Sequence, residues 1–494
     1  MVAGWPSPAE PLGQQVASGG LLMILGHLAA LPAGLLASAF LARALGPTQF
    51  GVYSVALSLI DWARTSINML LNRASIKLIA ETPHWEPVAT ALTQIQLLLG
   101  SAAGALAFLA APALARALGS AALVPVLRAM AAALPLYSWA QAYTNTLNGR
   151  RDFQRSAMLP VVGDLSRLLL VLVLAGMLGL NGAAWAYVGS AGALLWFSQR
   201  SVRLKLRRRL RWPRRQFLHY SLPLFLDTLA RRLHKRADLW AVQTLAGTAA
   251  AGQYSVALSF NSAGRVFVGA LSPVVLATVS DAWAKQQRSL GRAIIRQSLR
   301  LTLWLLPFAA LGAGAAPALI RLLFGEAYLE AAPLLAWVAF SIVAQVLMSI
   351  SAAIIAGIGR PGWTFAFGGP LLAVAVAGYV LTVPRLGAIG ATATTALTEW
   401  AAALAALLAI QRWCQAGAGG RTLARVAVTS VVAYALASAW RAPGVWLIAQ
   451  LLALCGVVLA LMLALGEVTP DDVAFIRSLL RRLLGARTSG RAAT

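Results

Sequence analysis

Runs of apolar residues long enough to cross a bilayer recur along this chain and leave few alternatives for its fold. A hydrocarbon core of about 30 Å takes about 20 helical residues. Fourteen such stretches can be read in the 494 residues: about 18–42, 50–71, 88–112, 122–146, 157–178, 181–198, 218–244, 252–279, 301–323, 331–357, 362–383, 386–410, 423–440 and 444–466. In lipid every backbone N–H and C=O must be satisfied within its own segment, so spans of this length fold as helices. Composition agrees: 59% of residues are hydrophobic and 11% charged, against about 25% charged in soluble domains. Two cysteines, Cys414 and Cys455, both in or beside apolar runs, exclude a disulfide scaffold. The expected fold is all-α: a polytopic membrane protein of about 14 transmembrane helices.

The net charge of +26 would suggest nucleic acid in a soluble protein. Here its placement decides the matter. With the connections numbered alternately from an inside N-terminus, the inside segments hold 28 Lys and Arg, nine of them between Arg200 and Arg215, and the outside connections hold 5. That bias predicts an even number of spans with both termini cytoplasmic, makes the basic surplus a topology signal, and removes nucleic acid from the expected partners. It also supports the second and seventh stretches, which carry charges in their middle. Residues 1–17 lack Lys and Arg and the first run exceeds a signal h-region, so it is expected to stay as a helix. The tail from Glu467 is basic and amphipathic, which suits an interfacial helix on anionic lipid.

An internal repeat organises the spans. Gly51–Arg64 reads GVYSVALSLIDWAR and Gly252–Arg265 reads GQYSVALSFNSAGR, identical at eight of fourteen positions at an offset of 201. Gly149-Arg150 with Pro160 matches Gly359-Arg360 with Pro370 at 210, and the Gly-Ala-Ala at Gly182 is echoed at Gly390 at 208. The copies lie six spans apart and run in the same direction, which implies a pseudo-two-fold axis along the membrane normal and a site between the halves. The expected organisation is a six-helix lobe over 1–200, a basic cytoplasmic linker over 201–216, a second six-helix lobe over 217–412 around a shared central cavity, two further helices within 413–466, and a cytoplasmic tail over 467–494.

Three stretches carry a resemblance: ARALGPTQFGVYSVALSL from Ala42, SLPLFLDTLARRLHKRADLWAVQTLAGTAAAGQYSVAL from Ser221, and LLFGEAYLEAAPLL from Leu322. As a set they resemble the bacterial polysaccharide and O-antigen flippases, the polysaccharide transporters of the multidrug/oligosaccharidyl-lipid/polysaccharide exporter superfamily. The resemblance implies alternating access and a substrate of undecaprenyl-pyrophosphate-linked oligosaccharide, moved from the cytoplasmic to the outer face of the inner membrane. It also implies membrane lipids as surroundings, and a polymerase or glycosyltransferases of the same pathway as partners. The cationic cluster of the seventh span is denser than the family pattern.

Ionisable groups at membrane depth are costly and are expected to face protein or a wet cavity. Asp61, Arg64, Asn68 and Asn72 recur at three or four residues and form one stripe; Asn261 and Arg265 hold the matching depth in the second copy. Guanidiniums at Arg64 and Arg265, one per lobe, suit a pyrophosphate, which each can engage bidentately; the alternative for Arg64 is an ion pair with Asp61, three residues before it. Asp227, Arg231, His234 and Asp238 share a face of the seventh span with Lys235 at its flank, while Arg232 and Arg236 point elsewhere. Arg231 and Lys235 are counted with the substrate-binding cations, and the carboxylates with charge balance. Asp164 and Arg167, three apart, are expected to pair, and Glu399 is a candidate ion-coupling carboxylate. His27 reads as a packed polar residue. No His/Cys spacing suits a metal and no cofactor is expected.

Eight basic against five acidic residues inside the spans favour an anionic substrate. The alternative is a drug/cation antiporter of the same superfamily, whose cavity should carry carboxylates and aromatics. A membrane glycosyl polymerase or ligase fits poorly, because the outside connections are short and lack paired carboxylates; the chain is expected not to be an enzyme.

Overall fold

The computed structural model describes residues 12–202, 204, 236–360, 362–417, 419–440, 444 and 446–467, and the side chains of these other than 12–31, 73, 263, 265, 270 and 364–368. Among them every regular element is helical: α1 (Leu12–Glu81), α2 (Trp85–Ala117), α3 (Leu123–Ala131), α4 (Ala133–Gly149), α5 (Phe153–Leu170), α6 (Gly176–Ser201), α7 (236–246), α8 (Thr248–Leu258), α9 (Ser262–Ala284), α10 (Arg288–Leu303), α11 (Leu305–Gly314), α12 (Ala316–Leu323), α13 (Ala331–Gly357), α14 (Trp363–Cys414), α15 (Gly420–Ala439) and α16 (Trp446–Ala464). Nine helical stretches of the described residues are long and apolar enough to cross a membrane. The difference from fourteen comes partly from continuity: Phe153–Ser201 and Gly369–Cys414 each cover two expected spans, and the seventh span lies largely outside the described residues, as do most of the expected linker and tail.

Glycines break the long helices where the sequence repeat places corresponding positions. Gly179 (φ 56°, ψ −131°) interrupts α6 and Gly387 (φ 60°, ψ −142°) interrupts α14. These dihedrals are open to glycine and closed to residues with a Cβ. Three residues later, Gly182 lies against the carbonyl oxygen of Leu174, and Gly390 lies where a Cβ would stand 2.6 Å from that of Thr382. All three pairs are 208 apart, so both halves make the same sharp turn at the same place.

The offset of 210 between Gly149 and Gly359 is corrected by the packing. Gly149 rests on Ile79 and the Ile76 carbonyl, while Gly357 rests on Val279 and the Leu276 carbonyl. Arg151 (φ 61°) and Gly359 (φ 85°) take the left-handed position that follows. The cap bonds from Asp152 N–H to Leu147 (2.9 Å) and from Arg360 N–H to Ile355 (3.0 Å) are again 208 apart. What the two halves share is a helix end without a Cβ at a close crossing, and the two Gly-Arg dipeptides do not mark it.

The repeated segments pack on each other. A Cβ on Gly51 would run into the Thr248 carbonyl, and a Cβ on Gly252 into the Pro47 carbonyl. Since Pro47 and Thr248 are themselves 201 apart, the contact is reciprocal about a local two-fold axis. Small residues are what let helix backbones meet this closely in a membrane. Around the crossing, Tyr328 Oη donates to the Ala42 carbonyl (2.9 Å), Arg43 Nε to that of Leu323 (2.9 Å) and Gln243 Nε2 to that of Leu118 (3.2 Å). Tyr53 and Tyr254, the repeat's paired tyrosines, are both fully buried in the core that joins the halves.

Candidate functional site

The second half of α1 carries the polar stripe anticipated at its helical spacing, and α4, α5 and α6 close around it. Arg64 donates to Asp61 Oδ1 at 2.5 Å, and its guanidinium lies 4.8 Å from the centre of the Tyr137 ring. Asp61 has a second cation: Arg236 Nη2 reaches its other oxygen at 3.1 Å from α7. The sequence set Arg236 off the face drawn through Asp227, Arg231, His234 and Asp238 and gave it no role, while Asp238 turns to Tyr254. In the structure Arg236 carries an ion pair to a residue 175 positions earlier in the chain. Trp240 Nε1, one turn further on, donates to Ser58 Oγ (2.9 Å), and its ring meets Trp62 edge to face at 6.2 Å.

Arg167 joins this group. Its expected partner was Asp164, one turn before it, but its guanidinium turns to α1 and donates to Tyr53 Oη at 3.1 Å, 6.0 Å from the centre of the Tyr187 ring. Tyr137 and Tyr187 pack at 5.1 Å, and Tyr137 Oη shares a hydrogen bond with Ser190 Oγ at 3.0 Å. Arg64 and Arg167 therefore converge on a basin of three tyrosines, and the Nε of each is buried without a hydrogen-bond partner. The basin's electrostatics follow from this arrangement. Asp61 is divided between Arg64 and Arg236, while Arg167 rests on a neutral phenol. Burial strengthens the pull of such charges on an anion, since little water remains to screen them.

Further along the stripe, Asn68 belongs to an amide chain. Gln96 Nε2 donates to Asn68 Oδ1 (3.3 Å), Asn68 Nδ2 to Gln141 (3.4 Å) and Gln141 Nε2 to Asn145 (3.0 Å). Asn72 Oδ1 is buried with no hydrogen-bond partner. Such groups offer a sugar hydroxyl both donors and acceptors.

The second half differs. Asp238 is buried, accepts from Tyr254 Oη at 2.7 Å and from the Leu239 N–H at 2.7 Å. Tyr379 Oη bonds Thr395 Oγ1 (2.9 Å) in α14, four residues before the half-buried Glu399. Asn261 closes a 3-10 turn, Ser259–Asn261, between α8 and α9, and is half-buried with its Oδ1 lacking a hydrogen-bond partner. Arg265 lies in the first turn of α9, its side chain beyond what is described, and Asp227, Arg231, His234 and Lys235 lie outside the described residues. A cleft of about 310 Å³, lined by Arg43, Gly46, Phe324 and Tyr328 among others, sits at the crossing of the halves and contains none of these groups.

A family model described as polysaccharide biosynthesis protein matches residues 40–333. The comparison with curated protein sequences returns no match. Among solved structures, a lipid II flippase MurJ in an inward closed conformation matches with a TM-score of 0.76 at 14% identity, over 93% of this chain and 100% of that one. An inward-facing multidrug resistance MATE family transporter of the MOP superfamily matches at 0.59 and 16% identity, over 83% and 96%. A MOP superfamily transporter from Pyrococcus furiosus matches at 0.55 and 15% identity, over 81% and 96%. The fold of this chain is that of these membrane transporters.

Proposed function

The chain belongs to the polysaccharide biosynthesis protein family, and from that premise we propose that it moves an undecaprenyl-diphosphate-linked oligosaccharide from the cytoplasmic to the outer face of the bacterial inner membrane by alternating access, for polysaccharide assembly. The observation that carries the reading is the Arg64–Arg167 basin: two half-buried guanidiniums facing phenols, with one carboxylate shared among Arg64 and Arg236. A phenol holds a cation in place without cancelling its charge, so a diphosphate can replace it as partner. The amide chain through Asn68 and Gln141 continues from the basin as a surface for sugar hydroxyls. The two six-helix lobes and the cytoplasmic termini belong to the same proposal, supported by the repeat and the 28-to-5 charge bias; Arg265, Arg231 and Lys235 are assigned to the same cationic lining on sequence grounds. The likeness to MATE transporters is compatible with the alternative substrate, a drug cation, but a basin richer in guanidinium than carboxylate repels it.

The test is reconstitution into liposomes with a fluorescent undecaprenyl-diphosphate oligosaccharide. Transbilayer movement should exceed protein-free vesicles by at least about tenfold, and the same sugar on an uncharged polyprenyl carrier should be left behind by a similar factor, the margin of one charge-assisted contact. Equal rates for the two carriers would remove the basin from substrate selection.

Glu399 is assigned ion coupling in this scheme. Glu399→Gln should flatten the dependence of transport on external pH while leaving carrier selection unchanged. Unaltered pH dependence in that variant would leave the carboxylate with a structural role.

A further inference from the structure

Helix α10 carries a charge pattern that transport does not use. Arg288, Arg292, Arg296 and Arg300 are spaced by four, so their guanidiniums line one face, while Gly291, Ile295 and Leu299 are buried on another. Like charges four apart on a helix repel. The last of them is neutralised inside the protein: Arg300 Nε meets the buried Glu467 carboxylate at 2.9 Å, where Arg425 (3.5 Å) and Trp304 Nε1 (3.3 Å) also arrive. Arg288, Arg292 and Arg296 make no ion pair among the described residues. The nearby carboxylate of Asp281 is already held by Lys285 at 2.9 Å.

Two arginines on this side lie against indoles. Arg288 lies 4.3 Å from the Trp283 ring centre, and Arg360, from the turn between α13 and α14, lies 4.8 Å from that of Trp413. Trp413 packs edge to face on Trp363 at 5.3 Å, and Trp363 and Leu290 are each 50% exposed. Ile295 of α10, Ile355 of α13 and Cys414 of α14 share one buried apolar cluster, with Trp283, Ile358 and Trp413 packed on it, so segments distant in sequence meet beside these arginines. An indole face orients a guanidinium and leaves its charge available, and Trp is the side chain that settles at the headgroup level of a bilayer.

We propose that this face, Arg288, Arg292, Arg296 and Arg360 with Trp363 and Trp413, is a binding site for the headgroups of anionic phospholipids. The argument for that occupant is charge complementarity together with exposed apolar side chains at the same level. A phosphate ester answers the unneutralised arginines, and Trp363 and Leu290 meet the acyl chains that a soluble anion lacks. The connections on this side are the basic ones, which places the site at the leaflet whose anionic lipids attract them. The inference does not rest on the proposed substrate, and its assay reads lipid retention without transport.

The experiment uses the full-length protein in detergent, titrated with phosphatidylglycerol or phosphatidylcholine and read by native mass spectrometry and thermal unfolding. Phosphatidylglycerol should be retained preferentially and raise the unfolding temperature. Arg292→Gln/Arg296→Gln should weaken its retention on the order of tenfold, from a loss of attraction expected for each basic residue at an anionic surface, while Arg292→Lys/Arg296→Lys keeps most of it. Arg200→Gln, which removes a cation outside this face, 3.9 Å from the Trp196 ring centre, should change retention less than twofold, roughly the effect of one screened surface charge. Equal retention of the two lipids, an unchanged preference in the glutamine variant, or an equal loss in Arg200→Gln would overturn the site. So would a full thermal shift with inorganic phosphate alone, or a loss in the glutamine variant confined to undecaprenyl diphosphate.

Discussion

Arg167→Ala should reduce flipping of a diphosphate-linked substrate by about 100-fold, and Arg64→Ala by a similar factor, since removing one partner of a desolvated charge contact costs about 2–5 kcal/mol. Arg167 faces a hydroxyl that a phosphate can displace, Arg64 faces the Tyr137 ring beside its ion pair with Asp61, and each keeps a buried Nε without a hydrogen-bond partner. The two arginines approach one basin, so their effects should couple: the double alanine variant should lose less than the product of the single losses. Arg167→Lys should recover part of the activity, because lysine keeps the charge and loses the planar fork that grips two oxygens. Tyr53→Phe separates positioning from charge. It deletes the hydroxyl that receives Arg167 at 3.1 Å and should cost only several-fold, about one neutral-acceptor hydrogen bond. Thermal unfolding of each variant accompanies the transport assay. Arg167→Ala transporting at the parental rate, with its fold intact, would dismiss the basin as the anion's path.

The second large effect is mechanical. Gly51→Val should prevent the contact with Thr248 from closing and abolish transport, and Gly252→Val should do the same through Pro47. A Cβ on Gly51 meets the Thr248 carbonyl and stands 3.0 Å from Gly252 N, and neither backbone atom has a rotamer by which to yield. Overpacking at a site with freedom to relax costs about 1–3 kcal/mol; here the helices must separate. The measurement is disulfide formation between cysteines introduced at positions 47 and 248 in membranes. It should proceed readily in the parent and drop at least about tenfold in either valine variant, as a loss of this size in contact stability requires. Full cross-linking and normal transport with Gly51→Val would show that the close crossing is dispensable.

Much of the scaffold was legible in the sequence because membrane helices are built from local rules. Apolar length gave an all-helical chain with helices long enough to cross a membrane, and the YSVALS repeat marked the two segments that cross. The turns at Gly179 and Gly387 explain why expected spans merge: a single glycine suffices to reverse direction without an intervening loop. The site was harder. Asp61 and Arg64 were found because helical spacing alone brings them together. Arg167 was assigned to Asp164 on the same logic, yet its guanidinium donates to Tyr53, 114 residues away. Arg236 was set aside because its neighbours defined another face, and no local pattern announces a partner 175 positions earlier. The 210 offset failed for a related reason: matching charged dipeptides drew attention away from the glycines that the crossing requires.

The paired tyrosines suggest how a duplicated architecture acquired unlike halves. In one half Tyr53 accepts a hydrogen bond from a cation, Arg167; in the other Tyr254 donates one to an anion, Asp238. A phenolic hydroxyl serves as donor or acceptor by rotating one bond. At matching positions of the repeat, this pivot satisfies an arginine in one copy and an aspartate in the other. The electrical sign beside each tyrosine is thus set by its partner, and the phenol itself is indifferent to it.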